Sequence, residues 1–140
     1  MSELETLRRE VQALADRHAV ADLIDRLGLW LDEKRFAEAR TILAEDVRVR
    51  TPGGTAAGIE RVVDQAERNH RERTQHRISN VRVDVEGDRA AAGANLLVTF
   101  AGEDGAVRVA QGERYAFEAL REPEGWRLAS IAVTPVWATG

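Results

Sequence analysis

The second half of the chain consists of long strand patterns separated by tight turns, and this feature limits the possible folds most. Val81, Val83 and Val85 alternate with charged residues and end at a turn over residues 86–88. Three further strand patterns follow, over residues 90–100, 106–120 and 126–136, with turns at 102–105 and 122–125. Four consecutive strands joined by three short turns predict an antiparallel meander with one apolar face.

Three helical patterns precede the sheet, and short connections join them. Leu4, Leu7, Val11 and Leu14 recur at helical spacing and predict a first helix. Asp16 is predicted to cap a second helix, whose apolar face carries Val20, Leu23, Ile24, Leu27 and Leu31. A third, short helix is predicted from the spacing of Phe36, Ala39, Ile42 and Leu43. The short connections predict that these helices pack as one antiparallel group.

A hairpin and a further helix lie between those helices and the meander. Val47 and Val49 alternate with arginines, and the sequence Pro52-Gly53-Gly54 marks the turn of the hairpin. The next helix follows Gly58, and its buried stripe contains Ile59, Val62, Val63 and Ala66. A sheet with one apolar face must be covered. We therefore expect one α+β domain over residues 1–140, in which a curved sheet and helices enclose a small apolar pocket.

Composition excludes several classes of function. The net charge of −4 argues against nucleic acid as the main partner. No apolar run approaches the roughly 20 residues needed to cross a bilayer, and the residues after Met1 show no secretory signal. Cysteine is absent, which excludes disulfides and thiolate metal sites and suits the cytoplasm. We therefore expect a cytoplasmic protein that binds neither membranes nor nucleic acids.

Five stretches of the chain carry a resemblance to a known family. They are Asp16-Arg17 leading into residues 20–24, Trp30-Leu31-Asp32, residues 43–47, residues 74–80 and residues 125–128. In this order they resemble the SnoaL-like branch of the nuclear transport factor 2-like superfamily. The resemblance implies a cone-shaped α+β barrel, in which a curved antiparallel sheet wraps around N-terminal helices and leaves an internal pocket. It also implies a homodimer formed through the sheet.

The motif Thr74-x-His76-x-x-x-Asn80 begins the first long strand and contains the strongest catalytic candidate. The resemblance implies that the strand histidine, His76, faces the cavity and pairs with an aspartate at the end of the second helix, Asp32. Imidazole is suited to proton transfer near neutral pH, and an adjacent carboxylate sets its tautomer. The alternatives are a structural Asp–His pair or a hydrogen-bonding group in a protein that only binds its ligand.

Further residues are candidates for contact with a substrate, namely Trp30, Asn80, Asn95, Arg114 and Trp137. The spacing Gly112-x-Arg114 resembles the family's Gly-x-Tyr motif, which implies that Arg114 holds an anionic or carbonyl group of the ligand. A surface arginine paired with a cross-strand carboxylate is the alternative. Of the other histidines, His18 is predicted to be exposed. His70 is predicted to cap helix carbonyls or to lie half-buried near the pocket.

These features together predict a cofactor-independent enzyme. No glycine-rich turn suggests a nucleotide site, and the three histidines lack metal-ligand spacing. The predicted substrate is small and hydrophobic, and the reaction implied by the resemblance is elimination, isomerisation or ring closure, as in dehydratases, isomerases and polyketide cyclases. A single tyrosine, Tyr115, and the lack of a second histidine on a matching strand depart from the scytalone dehydratase pattern. A non-catalytic small-ligand-binding module or an accessory dimerisation module of the same fold is the alternative.

Overall fold

The computed structural model describes all residues from Met1 to Gly140. Its helices are α1 (Glu3–Asp32), a short 3₁₀ helix (Phe36–Thr41) and α2 (Ile59–Asn69). Its strands are β1 (Leu43–Thr51), β2 (Gly54–Ala57), β3 (Arg73–Glu86), β4 (Arg89–Ala101), β5 (Val107–Glu122) and β6 (Gly125–Ala138). The predicted fold class is confirmed, with helices ahead of a hairpin, a helix and four long strands. No helix is both long and apolar enough to cross a membrane.

All six strands form one curved sheet in the order β2-β1-β6-β5-β4-β3. The strands β3 to β6 pair antiparallel as the predicted meander, and β1 and β2 form the predicted hairpin. The sheet differs from the expectation in one respect, because β1 lies parallel to β6 and makes the sheet mixed. Parallel neighbours need a long connection. Here it consists of β2, α2 and the first three strands of the meander. The sheet curves without closing, since β2 and β3 remain at its edges.

The two helices predicted before residue 33 form one continuous helix, so this prediction is wrong. Residues 15–19 contain neither glycine nor proline, and α1 continues through them. The second half of α1 buries the predicted apolar face, with Val20 and Ile24 fully enclosed. The first half does not pack on the sheet, and the expected antiparallel helix group does not form. Its apolar residues stay more than half exposed, namely Leu4, Leu7, Val11 and Leu14.

Asp16 is a buried ionic centre rather than the predicted helix cap. Arg121 of β5 donates two hydrogen bonds to its carboxylate, at 2.9 and 2.7 Å. Trp126 of β6 donates through Nε1 at 3.2 Å, and Gln12 donates from one helical turn earlier at 2.9 Å. Mainly because of the hydrogen bonds from Arg121, the pKa of Asp16 falls from 3.8 to about 2. The carboxylate therefore anchors the middle of α1 to the ends of β5 and β6.

The chain leaves α1 through a left-handed turn just after Asp32. Lys34 has a φ angle of 59°, and the backbone N–H of Arg35 donates to the carbonyl of Trp30 at 3.0 Å. A left-handed residue followed by a bond back into the last turn is a common way to end a helix. The turn leaves Asp32 as the last helical residue, at the edge of β3.

Gly28 allows this end of α1 to lie close to β3. A Cβ atom at this position would stand 3.1 Å from Cδ1 of Ile78 and 3.5 Å from Cβ of His76. Glycine inside a helix costs about 0.5–1 kcal/mol relative to alanine. The absence of a side chain at Gly28 therefore allows α1 and β3 to approach each other closely.

A bulge in β3 changes which residues face the helices. Its pairing with β4 shifts within residues 79–82, where Asn80 has a φ angle of 56°. Before the bulge, the even-numbered His76 and Ile78 face inward. After the bulge the inward residues are odd-numbered, namely Val81, Val83 and Val85. One strand thus contributes its first half to a cavity and its second half to the core.

We predict that Asp16→Asn lowers the free energy of unfolding by about 2–3 kcal/mol, because it removes the buried charge that binds Arg121. The matched control is Asp22→Asn on the same helix, where an exposed carboxylate lies 4.0 Å from Arg26. Its loss should cost less than about 0.5 kcal/mol. Urea unfolding followed by circular dichroism measures both variants.

The stabilisation that Asp16 provides decreases at low pH. The Asp16 pKa is lowered in the folded protein, so its stabilisation is present above 3.8 and disappears as the pH falls toward about 2. The difference between wild type and Asp16→Asn should shrink over this interval. Equal losses of stability in the Asp16 and Asp22 variants near neutral pH would contradict the anchoring role.

Candidate active site

Asp32 and His76 lie side by side where α1 meets β3. Oδ1 of Asp32 is 2.6 Å from Nδ1 of His76, and Oδ2 accepts the backbone N–H of His76 at 2.8 Å. The hydroxyl of Thr74 donates to Oδ1 at 3.0 Å. The carboxylate thus accepts three hydrogen bonds from one strand, which hold both the carboxylate and the imidazole ring in place.

These hydrogen bonds determine the charge of Asp32 and the tautomer of His76. Burial acts to raise the pKa of Asp32, but the hydrogen bonds from His76 and Thr74 outweigh it and hold the pKa below 3.8. An ionised carboxylate only accepts, so Nδ1 of His76 carries the proton. In the neutral ring Nε2 therefore holds the lone pair, and no group of the protein donates to it.

The ring of His76 borders a cavity of about 670 Å³ between the helices and the concave face of the sheet. Small-molecule sites commonly have volumes of roughly 300–1,000 Å³. The side chain of His76 is only 2% exposed, so its reactive edge is shielded from bulk water. Most of the lining is apolar, including Leu27, Leu31, Val62, Leu96, Val98 and Ile131.

Few polar side chains reach this cavity, and none of them is an arginine or lysine. Tyr115 of β5 is neutral, because burial raises the pKa of its phenol. Glu113 of β5 also faces the cavity, and burial raises the pKa of its carboxyl above 4.5. The uncharged polar residues of the lining include Gln65, Asn69 and Gln111. The structure contains no group of three or more histidine, aspartate or glutamate side chains arranged to hold a metal ion.

His70 is a second imidazole in the cavity wall, at the end of α2. Its ring lies 5.3 Å from that of His76 and 6.4 Å from that of Phe100, measured between centroids. Nδ1 is 2.8 Å from the carbonyl of Ala66, so it donates there and Nε2 holds the lone pair. Burial lowers the pKa of His70 from 6.5 to about 4, and the charges of His76 and Lys34 add to this shift. His70 is therefore uncharged at neutral pH.

Lys34, the single lysine of the chain, lies two residues after Asp32. Its Nζ is buried and has no hydrogen-bond partner. Burial lowers its pKa, while the charge of Asp32 acts in the opposite direction. A cation at this position favours the ionised form of Asp32 and the neutral form of His70.

Two of the five residues predicted to contact a substrate border the cavity. Trp30 lies in its wall, and Trp137, which is 48% exposed, lies at its rim. Asn80, Asn95 and Arg114 are exposed and do not line the cavity. Asn95 and Arg114 pair with each other across β4 and β5 on the outer face, where they cannot reach a ligand in the cavity. The homodimer expected through the sheet stays a prediction.

Gly112 permits the position of Trp137. A Cβ atom at residue 112 would overlap with the indole ring, which rests on the strand at this point. The pairing of β5 with β6 also shifts immediately after Gly112. The position of Trp137 at the rim therefore depends on the missing side chain of Gly112 and on the shifted pairing of β5 with β6.

The sequence interpretation missed Glu113 and Tyr115 because it placed the wrong face of β5 toward the cavity. The resemblance to the Gly-x-Tyr motif favoured Arg114, whereas the odd-numbered residues of this strand face inward. The alternation of side chains carries the correct signal, since Tyr115 and Phe117 are aromatic while Arg114 and Glu118 are charged. His70 was weighed for a role in the pocket, and the structure brings its ring next to that of His76.

The family model of the SnoaL-like domain matches residues 12–132. The chain belongs to the SnoaL-like domain family. No curated protein matches the sequence of this SnoaL-like chain.

Solved structures show the same fold in several relatives of this SnoaL-like protein. Kfla4162 from Kribbella flavida is 21% identical, with 91% of this chain and 95% of that chain covered and a TM-score of 0.84. The hexachlorocyclohexane dehydrochlorinase LinA-type3 from Novosphingobium barchaimii is 21% identical, with coverages of 93% and 92% and a TM-score of 0.82. An NTF2-like protein with a cystatin-like fold from Novosphingobium aromaticivorans is 24% identical, with coverages of 97% and 92% and a TM-score of 0.82. At these identities the likeness concerns the fold.

We predict that His70 of the SnoaL-like protein stays neutral until the pH approaches about 4, because its ring is buried and Nδ1 donates to Ala66. Proton NMR of the imidazole resonances measures this, with His70→Gln identifying the signal. Since the unfolded chain takes up this proton near 6.5, the folded state loses stability as the pH falls from 6.5 to about 4. A His70 resonance that titrates near 6.5 in the folded protein would contradict the buried, neutral ring.

Proposed function

We propose that this SnoaL-like protein is a cofactor-independent enzyme in which His76, oriented by Asp32, removes a proton from a small hydrophobic substrate. The observation that supports it is the 2.6 Å contact between Nδ1 of His76 and Oδ1 of Asp32 in the wall of an apolar cavity. Nε2 of the same ring is left free to act as the base. The proton comes from a carbon next to an electron-withdrawing group, and elimination, isomerisation or ring closure follows.

Asp32 strengthens His76 as a base in two ways. It holds the proton on Nδ1, so that Nε2 presents its lone pair to the cavity, and it stabilises the imidazolium that forms when Nε2 takes a proton. Both effects are larger in the apolar cavity than in water, because charges interact more strongly at low dielectric constant. The backbone N–H of His76 and the hydroxyl of Thr74 keep the carboxylate in position while the ring changes charge.

The dyad accounts for only part of the barrier reduction that an enzyme needs. A positioned general base typically contributes about 10²–10⁴-fold, equivalent to about 3–5 kcal/mol. The rest has to come from orienting the substrate and from excluding water around the reacting carbon. An aliphatic lining that closes around His76 suits both tasks for a hydrophobic molecule.

Enzymes with this fold support the proposal by analogy. The dehydrochlorinase from Novosphingobium barchaimii shares the fold at a TM-score of 0.82. Since one fold supports many reactions, the geometry of the dyad carries more weight than this likeness. The alternative is a module that binds a small ligand in the same cavity without turnover. Catalysed proton exchange distinguishes the enzyme from this module.

We predict that His76→Ala lowers catalysed proton exchange by about 10²–10⁴-fold, and that Asp32→Asn lowers it at least about tenfold because the tautomer is no longer held. The assay follows deuterium uptake from heavy water at the carbon next to the carbonyl of small aryl ketones, by proton NMR. The matched controls are His18→Ala and Asp25→Asn, at exposed positions of α1, which should exchange at the wild-type rate.

Folding and binding measurements make the result decisive. Urea unfolding checks that each variant is folded, since Asp32 also joins α1 to β3. Wild-type rates in both His76→Ala and Asp32→Asn would overturn the proposed mechanism. Ligand binding by the wild type with no exchange of any aryl ketone would favour the binding module.

A further inference from the structure

Glu113 is the one carboxylic acid whose side chain lines the cavity. It lies in the middle of β5, is partly buried, and forms no hydrogen bond or salt bridge with the protein. Its neighbours across the sheet are apolar, Leu96 on β4 and Pro135 on β6. Placing an acid without a cationic partner in apolar surroundings costs stability. Such a residue in a cleft is a candidate for function.

The strand register places Glu113 two strands away from His76, on the same concave face of the sheet. His76 pairs with Val98, and Val98 pairs with Gln111 of β5. Two strand spacings separate the backbones of His76 and Gln111, about 10 Å in total. Glu113 follows Gln111 by two residues and faces the same side. Because both side chains extend into the cavity of a curved sheet, a small molecule between them can touch both.

We propose that Glu113 is a second catalytic residue, which protonates a hydroxyl group as it leaves the substrate. The proposal rests on the proposed function of His76 as the base. It assigns the two steps of proton transfer to two strands of the sheet that lie on either side of β4, with His76 on β3 and Glu113 on β5.

Nε2 of His76 takes a proton from the carbon next to a carbonyl, and the electron pair of that C–H bond forms a carbon–carbon double bond. The C–O bond to the hydroxyl breaks, and the proton of the Glu113 carboxyl joins the departing oxygen to form water. The products are an unsaturated carbonyl compound and water. The imidazolium then returns one proton to the Glu113 carboxylate through solvent, which restores both residues.

The groups around Glu113 support this order of events. Burial raises the pKa of the Glu113 carboxyl, and a positive charge on His76 lowers it. A neutral His76 therefore favours the protonated acid, and a charged His76 favours the release of its proton. The other titratable groups facing the cavity are uncharged, Tyr115 on β5 and His70 at the end of α2, and Asp32 lies behind His76 on α1.

The same arrangement specifies the charge of the substrate. The cavity lining contains a carboxyl group and no arginine or lysine. A ligand with its own carboxylate or phosphate finds no cation there, and it meets repulsion when Glu113 is ionised. The substrate class is therefore an uncharged, largely apolar β-hydroxy carbonyl compound.

The experiment uses β-hydroxypropiophenone and its acetate ester, which both give phenyl vinyl ketone on elimination. Hydroxide needs a proton to leave, whereas acetate leaves without one. We expect Glu113→Gln to lower kcat for the hydroxy ketone by about 10²–10⁴-fold and to leave kcat for the acetate nearly unchanged. His76→Ala should lower both rates. The ultraviolet absorbance of the unsaturated ketone follows both reactions, and the chain has no cysteine for that product to alkylate.

The matched control is Glu118→Gln, on the outer face of the same strand, which should change neither rate. Equal loss on both substrates in Glu113→Gln, or no loss on either, would overturn the role of Glu113. If His76→Ala leaves both rates unchanged while Glu113→Gln still affects only the hydroxy ketone, the proposed base is wrong and the acid stands. The two proposals can therefore fail separately.

A binding measurement tests Glu113 without turnover. As the pH rises and its carboxyl ionises, we expect the wild type to come to bind phenol at least about tenfold more tightly than benzoate, a difference of about 1.4 kcal/mol. Glu113→Gln should reduce this preference, as measured by calorimetry, because it removes the ionisable carboxyl and its repulsion. An unchanged preference in Glu113→Gln would overturn the proposal even if neither ketone reacts.

Discussion

Asp32 accepts three hydrogen bonds from β3, and this contact ties the end of α1 to the sheet. Without it, the helix would lack a polar attachment at the wall of the cavity. The same bonds leave the imidazole of His76 with one nitrogen occupied and the other free. One carboxylate therefore serves the architecture and prepares the proposed chemistry, and the proposed base cannot be separated from the packing of α1 on β3.

A second buried carboxylate completes the attachment of α1. Asp16 binds the end of the meander through Arg121 and Trp126, while Asp32 binds its first strand. The helix between them spans roughly 24 Å at 1.5 Å per residue, and its apolar stripe is the part that covers the sheet. The residues before Asp16 have no such partner strand, which explains why their apolar side chains remain exposed.

The cavity combines an apolar lining with titratable groups on two strands of the sheet, β3 and β5. His76 and Asp32 stand on the side of α1 and β3, and Glu113 stands on β5. In water these groups would be weakly coupled, whereas a dry cavity makes the charge of one depend on the charge of the other. The proposed reaction uses this coupling, because a proton gained by His76 favours the release of a proton from Glu113.

Much of the fold and part of the candidate site could be predicted from the sequence. The turns after Glu86, Ala101 and Glu122 fix where each strand ends, and short turns between consecutive strands lead to an antiparallel meander. The pairing of Asp32 with His76 was predicted from the family resemblance. The continuity of α1 was not predictable from Asp16 alone, because its carboxylate can cap a helix or bind a distant arginine with equal local chemistry.

The remaining differences between the predicted and the observed structure arise from contacts between residues that are far apart in the sequence. The parallel contact of β1 with β6 depends on how the sheet curves around the helices, which no local sequence pattern indicates. The bulge at Asn80 reverses which residues of β3 face inward. In the sequence it is indicated by the change from an even-numbered inward residue, His76, to an odd-numbered one, Val81. On β5 the motif resemblance pointed to Arg114, although the aromatic alternation pointed to the opposite face.

The central claim is that Asp32 holds the proton of the neutral His76 ring on Nδ1 and leaves Nε2 bare. A proton–nitrogen correlation spectrum of the imidazole rings measures the tautomer directly, at about pH 8.5, well above the ordinary imidazole pKa of about 6.5. The account predicts that His76 is in the Nδ1–H form in the wild type and loses this preference in Asp32→Asn. A ring in the Nε2–H form, or a tautomer that Asp32→Asn does not change, would contradict it.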